Sequence, residues 1–298
     1  MDCMVGRSTE KGGVYSALIT PMMEDGSLNL PSLRALVRHE IERGVEGFYC
    51  CGSSGEGLLL GTKERMEIVE TLAQESANKV PFIVHTGSLS TKEAIDLSIH
   101  AQNCGAKAVS LIPPIYYHYS QEEVQHYYED VVNSVDLGVI VYNIPQFTGI
   151  SFSKNNPLMK NPKIVGIKHT SMNLYDLERL SRAFPEKTLF NGFDEIWLFS
   201  MAAGATSTIG TTVNICPKIF IAIREAYGKG ELEKAQALQH VLNDFIEALV
   251  KEGIFSATKY CMTLQGIDAG PCRKPFDRLT QDQKVRVQEA FKKMEQYL

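Results

Sequence analysis

Lys168 closes the apolar run Ile164-Val165-Gly166-Ile167 and is followed by His169-Thr170-Ser171. A lysine fixed at the end of a buried β-branched segment is short of water. Desolvation favours the neutral amine, the form that adds to a ketone to make a Schiff base. A solvated lysine is the plainer role, and the commoner one for such a position taken alone. Lys107 and Lys259 also stand among apolar residues, but both fall where helix or helix-to-strand packing would place them. The turn Gly52-Ser53-Ser54-Gly55-Glu56-Gly57 offers two hydroxyls and several backbone N–H groups. Such a nest suits a carboxylate or a phosphate. No Gly-Lys-Ser/Thr follows it, so it is not a nucleotide P-loop. Tyr142 ends another apolar run and reads either as a packed aromatic or as a proton carrier. Asp194-Glu195 reads equally well as an acidic helix start.

These residues need elements to bring them together. Strand-like runs cover Val14–Thr20, Gly47–Cys51, Pro81–Thr86, Ala108–Ile112, Val139–Asn143, Ile164–His169, Leu189–Gly192 and Thr206–Gly210. Helical periodicity covers Leu33–Glu42, Lys63–Ala77, Thr91–Cys104, Glu122–Asn133, Leu174–Ala183 and Ile215–Tyr227. Thr62 and Ser90 stand where N-caps belong, and Gly44 and Gly105 where helices end. Ser153–Lys160, broken by Pro157, and Asp194–Ala202 are weaker helical segments.

Strand–helix alternation implies a parallel sheet with helical crossovers. Eight evenly spaced runs suit an α/β fold of the closed (β/α)8 TIM-barrel type. An open doubly wound sheet is the runner-up, but no GxGxxG follows the first strand. Beyond residue 230 the strands stop, and Leu232–Lys251, Ile254–Leu264 and Gln281–Tyr297 read as three helices. The expected organisation is a barrel over residues 1–230 and a packed helical extension over 231–298, in one structural unit. Active sites of such barrels lie at the C-terminal ends of the strands. That rule gathers Ser53, Ser54, Tyr142, Lys168, Thr170, Gly192, Asp194, Glu195 and Thr211.

Composition narrows the partners. The 298 residues are 44% hydrophobic and 22% charged, enough apolar material for a large core. The net charge of −5 comes without a basic stripe, which argues against nucleic acid. No apolar run approaches the about 18–20 residues of a membrane helix. The N-terminal Met1-Asp2-Cys3-Met4-Val5-Gly6-Arg7 has no apolar h-region after it, so a cytoplasmic location is expected rather than secretion. The seven cysteines lack CxxC spacing and read as buried reduced thiols. The seven histidines are scattered. His39-Glu40 starts like a metalloprotease helix, but Arg43 stands where the second His is needed, so metal-dependent chemistry is disfavoured.

Taken together, the strand-end motifs are more specific than any one of them. The chain resembles the pyruvate-dependent class I aldolase family, which contains N-acetylneuraminate lyase and dihydrodipicolinate synthase. The resemblance is carried by Gly52-Ser53-Ser54-Gly55-Glu56, Tyr142-Asn143-Ile144-Pro145, Gly166-Ile167-Lys168 and Asn191-Gly192-Phe193-Asp194-Glu195. Gly204-Ala205 leading to Ile209-Gly210-Thr211-Thr212, and Cys272-Arg273-Lys274-Pro275-Phe276, support it. It runs from about Gly13 to the C-terminus. It implies an eightfold barrel with a three-helix tail, no cofactor, and usually a homotetramer.

The synthase branch normally carries an Arg just before Thr-Gly, holding a second substrate carboxylate. Here that place is Phe147, and a phenyl ring makes no bidentate salt link. The resemblance therefore leans toward the sialic acid lyase branch. It implies reversible cleavage of N-acetylneuraminate to N-acetylmannosamine and pyruvate. Another 2-keto sugar acid, dihydrodipicolinate synthesis, or a non-catalytic barrel that binds a keto acid are the alternatives.

By the resemblance, Lys168 forms the Schiff base, Ser53 and Ser54 hold the C1 carboxylate, and Tyr142 relays protons. Thr170, Gly192, Asp194, Glu195 and Thr211 recognise the hydroxyl chain. Tyr116 and Tyr117 resemble the tyrosine pair that reaches a neighbouring subunit's site. Three departures stand out. Ser54 replaces the usual Thr, Thr211 the frequent Ser, and His169 an uncharged residue. His169 would either line the sugar pocket or, if protonated, shift the lysine's titration.

Overall fold

The computed structural model describes residues 12–76 and 79–298. Cys3, the N-terminal segment and Ala77 lie outside the described residues. Eight parallel strands close into a barrel in sequence order. They are β1 (Val14–Ala17), β2 (Gly47–Cys50), β3 (Phe82–His85), β4 (Ala108–Leu111), β5 (Gly138–Asn143), β6 (Ile164–His169), β7 (Thr188–Asn191) and β8 (Ser207–Gly210). Parallel strands covered on both faces read as near-continuous apolar runs, which is why each was legible in the sequence.

The crossover helices are α1 (Leu30–Glu42), α2 (Thr62–Ser76), α3 (Thr91–Asn103), α4 (Gln121–Ser134), the single turn α5 (Pro145–Thr148), α6 (Leu174–Ala183) and α7 (Trp197–Ala202). After β8 come α8 (Pro217–Gly228), α9 (Leu232–Glu252), α10 (Ile254–Leu264) and α11 (Gln281–Lys292). Among the described residues, no helix is long and apolar enough to cross a membrane.

Several local expectations change. α1 starts three residues earlier than its apolar period, because Asn29 accepts the Ser32 N–H and Pro31 fits the first turn. Thr62 is the first helical residue of α2, and its hydroxyl donates to Glu93 instead of capping. Ser90 occupies the cap position of α3 without a side-chain capping bond. Gly44 and Gly105 do end their helices, at φ 88° and 83°. The segment around Pro157 keeps only a 3₁₀ turn, Pro157–Lys160. Asp194–Ile196 is also 3₁₀ before α7, and α11 stops at Lys292. Lys107 is exposed rather than packed.

Alternation along each strand divides the core in two. The larger cluster lies between sheet and helices, built on residues such as Phe48, Val109, Val141 and Ile167. The smaller fills the barrel itself with Ala17, Tyr49, Ile83, Ala108, Ile140, Tyr142, Phe190 and Ile209. Tyr15 meets Phe190 edge-on at 5.6 Å, and β6–β7 pairing sets Phe190 level with Lys168. The interior is filled by these side chains, and His85, Tyr142 and Lys168 stand at or next to the C-terminal ends of their strands.

Candidate active site

β5 and β6 pair with Tyr142 directly opposite Lys168, and both side chains point into the barrel. Both residues are buried. The Lys168 Nζ lies 4.2 Å from the ring centroid of Tyr142 and 4.2 Å from that of Tyr49. The two rings stand perpendicular, 6.2 Å apart. Two aromatic faces therefore hold the nitrogen, an arrangement that accommodates a cation without a carboxylate against it.

Tyr49 and His85 complete this wall, and sequence reasoning assigned neither. The Tyr49 hydroxyl donates to Ser110 Oγ at 3.1 Å, which fixes the ring. His85 stands edge-on to Tyr142 at 6.0 Å. Its Nε2 accepts the Ile112 N–H at 3.3 Å, so the proton sits on Nδ1, facing the Cys51 carbonyl at 3.2 Å. Burial, with the Arg65 and Lys168 charges beside it, holds His85 well below the usual histidine range. It is a neutral wall. His85 ends β3, so the strand-end rule points to it. Tyr49 lies inside an apolar run and carries no such signal.

Further polar groups gather on the loops after β2, β7 and β8. Ser54 Oγ and Thr211 Oγ1 share a hydrogen bond at 2.7 Å, joining the loops after β2 and β8. Ser53 is exposed at the same turn. Asp194 is buried, and its Oδ2 accepts the N–H and the hydroxyl of Thr212 at 2.8 and 2.7 Å. Its Oδ1 is buried without a partner. Burial, the largest cause, pushes Asp194 up to about 6 against these donors. Burial also raises the half-buried Glu195.

Two glycines make room for these groups. A Cβ on Gly210 would sit 2.0 Å from Asp194 Oδ1, and one on Gly192 would sit 1.9 Å from Thr170 Oγ1. Thr170 Oγ1, like Asp194 Oδ1, is a buried oxygen without a partner. Buried polar atoms are ordinarily paired, so two such atoms beside side-chain-free positions suit a ligand rich in hydroxyls.

Other predicted residues lie away from this cluster. His169 follows the inward Lys168 and so points outward, which rules out the first of its two suggested roles, lining the pocket. It receives Asn143 Nδ2 on Nδ1 at 3.0 Å and donates from Nε2 to the Asn173 carbonyl at 3.1 Å. Burial lowers it below the usual histidine range, so it carries no charge beside Lys168. Tyr116 and Tyr117 are 86% and 70% exposed. Their rings pack on each other at 5.1 Å, and Tyr117 meets Tyr119 at 6.1 Å. Tyr116 adopts a φ of 84°.

His39 and Glu40, the fragment of a metalloprotease pattern, diverge as well. His39 Nε2 bonds Gln265 at 2.8 Å, while the Glu40 carboxyl is fully buried.

Known proteins resemble this chain in sequence and fold. Residues 10–294 match the dihydrodipicolinate synthetase family. The chain is 38% identical over 284 residues to an N-acetylneuraminate lyase of Clostridium perfringens, covering 94% of this chain and 99% of that one. It is 37% identical over 279 residues to an N-acetylneuraminate lyase of Rhizobium meliloti, covering 93% of each. A solved structure from Clostridium difficile in complex with mannosamine superposes with a TM-score of 0.93 at 35% identity, covering 97% of this chain and 99% of that one. A Ruminococcus gnavus sialic acid aldolase gives 0.93 at 26% identity, covering 96% and 99%. The fold, the strand-end motifs and these matches agree: the chain belongs to the dihydrodipicolinate synthetase family.

Proposed function

We infer that this protein is a Schiff-base lyase that reversibly cleaves N-acetylneuraminate to N-acetylmannosamine and pyruvate. The observation that carries the reading is the placement of Lys168. It is buried near the C-terminal end of β6 with its nitrogen against the Tyr142 ring, while the loops after β2 and β8 join the Ser54 and Thr211 hydroxyls at the same end of the barrel. The curated relatives above bear the same activity in their names.

The neutral Lys168 amine adds to the C2 ketone of the open-chain sugar acid; Tyr142 gives its proton to the departing C2 hydroxyl, which leaves as water, and a protonated iminium and a Tyr142 phenolate remain. Ser53 and Ser54, with the turn's N–H groups, hold the C1 carboxylate. The C3–C4 bond breaks with its electron pair flowing into the iminium, giving an enamine. Tyr142 takes the C4 hydroxyl proton, so that C4 departs as the aldehyde of N-acetylmannosamine. The enamine regains a proton at C3, and water hydrolyses the pyruvate iminium, freeing Lys168. Asp194, Glu195, Thr170 and Thr211 receive the hydroxyl chain, and Gly192 leaves it space. Phe147, 77% exposed, offers no guanidinium for a second carboxylate.

The same reading makes the enzyme a cytoplasmic homotetramer, whose barrel (1–230) and helical extension (231–298) act as one unit. Tyr116 and Tyr117, exposed on the loop after β4, would reach a neighbouring subunit's Tyr142 and Ser53.

The test is direct. Purified protein incubated with N-acetylneuraminate releases pyruvate and N-acetylmannosamine, and borohydride with pyruvate leaves a covalent adduct on Lys168. A folded protein that condenses pyruvate with aspartate semialdehyde but leaves sialic acid intact overturns the substrate assignment. No adduct at Lys168 overturns the Schiff-base chemistry itself.

A further inference from the structure

None of those steps uses the Glu56 side chain, although it closes the hydroxyl turn two residues after Ser54. Its φ of 57° lies in the left-handed region that residues with a Cβ avoid, so something must hold it there. The holding groups come from the helical extension. Lys259 Nζ on α10 pairs with Glu56 Oε1 at 2.6 Å, with side-chain exposures of 1% and 0%. The Arg273 backbone N–H donates to Glu56 Oε2 at 2.6 Å, and Lys259 also donates to the Pro271 carbonyl at 2.9 Å.

Arg273 also clamps the segment between the turn and α2. Its guanidinium donates to both Glu64 carboxylate oxygens at 2.7 Å, and to the Leu59 and Gly26 carbonyls at 2.9 and 2.5 Å. From the barrel side, the Thr20 hydroxyl donates to the Gly55 carbonyl at 2.7 Å. The Gly52–Gly57 turn is therefore gripped through Gly55 and Glu56, while Ser54 meets Thr211 and Ser53 stays exposed.

A buried ion pair is a poor source of net stability, because desolvating both charges offsets their attraction. What it supplies is a fixed geometry. We propose that Glu56 and Lys259 are positioning residues, through which α10 sets where Ser53 and Ser54 meet the substrate carboxylate. The inference rests on reading that turn as the carboxylate site. It makes the helical extension part of the binding machinery rather than a passive cover.

Pyruvate is the probe, since the carboxylate is the only group it shares with that turn's assigned role. The pyruvate concentration giving half-maximal borohydride trapping at Lys168 is measured beside the urea midpoint, for wild type, Glu56→Gln, Lys259→Met, the double variant and Glu56→Asp. Each single neutral substitution leaves a buried charge unpaired and lowers the urea midpoint, and the double variant recovers most of it. Positioning predicts that half-saturation stays roughly tenfold above wild type in the recovered double variant, with trapping at saturating pyruvate within about threefold. Glu56→Asp keeps the charge but draws it back by one methylene, and it raises half-saturation in the same way.

A double variant of wild-type stability and wild-type half-saturation overturns the proposal, because the pair is then only a structural tie. A stable Glu56→Asp protein with unchanged half-saturation overturns it too, whatever the double variant does. Failure of the wild type to be trapped at all is a different result. It removes the Schiff-base reading, and this inference falls with it.

Discussion

Ser54 Oγ and Thr211 Oγ1 lie 2.7 Å apart and form one hydrogen bond between the loops after β2 and β8. By the resemblance, Ser54 lacks a methyl that its family counterparts usually carry, and Thr211 has one that theirs often lack. The two departures meet at a single contact, so the methyl is moved rather than lost. Two hydroxyls bring two protons, and their mutual bond uses one, leaving one to donate to a substrate oxygen. Thr211→Val should raise KM for sialic acid about fivefold, the worth of a hydroxyl hydrogen bond near 1 kcal/mol. In a Ser54→Ala background most of that effect should vanish. Steady-state kinetics on the four proteins measures the coupling, and strict additivity would show that the bond does not orient the site.

Asp194 gives the site a pH dependence whose sign comes from burial. Its carboxyl is raised to about 6, so the carboxylate is populated above that pH and lost below it. The unpartnered Oδ1 accepts a substrate hydroxyl best when ionised. The kcat/KM for sialic acid should therefore fall as pH drops through about 6. Asp194→Asn should start roughly tenfold to a hundredfold lower, as expected for losing a charged acceptor, and should lack that acidic limb. Pyruvate trapping, which does not involve the hydroxyl chain, should show no limb centred on Asp194. Parallel pH profiles of the two proteins decide this.

The strands and most of the candidate site were legible because strand ends can be read from one dimension. The run Ile164–Ile167 and the polar residues after Lys168 mark a strand's end whatever surrounds it. The depth order inside the barrel was not legible, because it depends on register. Tyr142 faces Lys168 only through the β5–β6 pairing, where the register shifts between Val139 and Ile140. Tyr49 was missed because an aromatic inside an apolar strand reads as core, which it also is. The two roles left open for His169 are decided by one parity argument: once Lys168 points inward, its neighbour points outward. Lys259 was rightly assigned to helix packing, but its partner Glu56 lies on a remote loop. No local pattern announces a pair like that.

Gly192 allows the sharpest steric test. The modest change Gly192→Ala would place a methyl 1.9 Å from Thr170 Oγ1 and 2.9 Å from Thr170 Cβ. Contacts that short cannot be kept, so the Thr170 hydroxyl must leave its position. We expect kcat/KM for sialic acid to fall at least about tenfold, through displacement of a group that orients the hydroxyl chain. Trapping with pyruvate should stay within about twofold. Equal losses in both assays would mean that the substitution disturbs the Lys168 end of the site as well.

Glu40 makes a prediction about stability rather than chemistry. It sits on α1 and is fully buried, and neither carboxylate oxygen has a hydrogen-bond partner. Burial raises it well above the ordinary carboxylate range, and the nearby Ser16 hydroxyl offsets this only in part. A carboxyl raised on folding binds its proton more tightly in the native state than in the unfolded one. Its stabilisation is therefore fully present below the unfolded pKa and is lost as pH climbs toward the native value. Glu40→Gln keeps the shape and removes the titration. The variant should be more resistant to urea than the wild type at pH 8, with the gap closing as pH approaches 4. A gap that stays constant from pH 4 to 8 would show that the wild type holds Glu40 in one protonation state in folded and unfolded chains alike, and that burial at this position is not coupled to the proton.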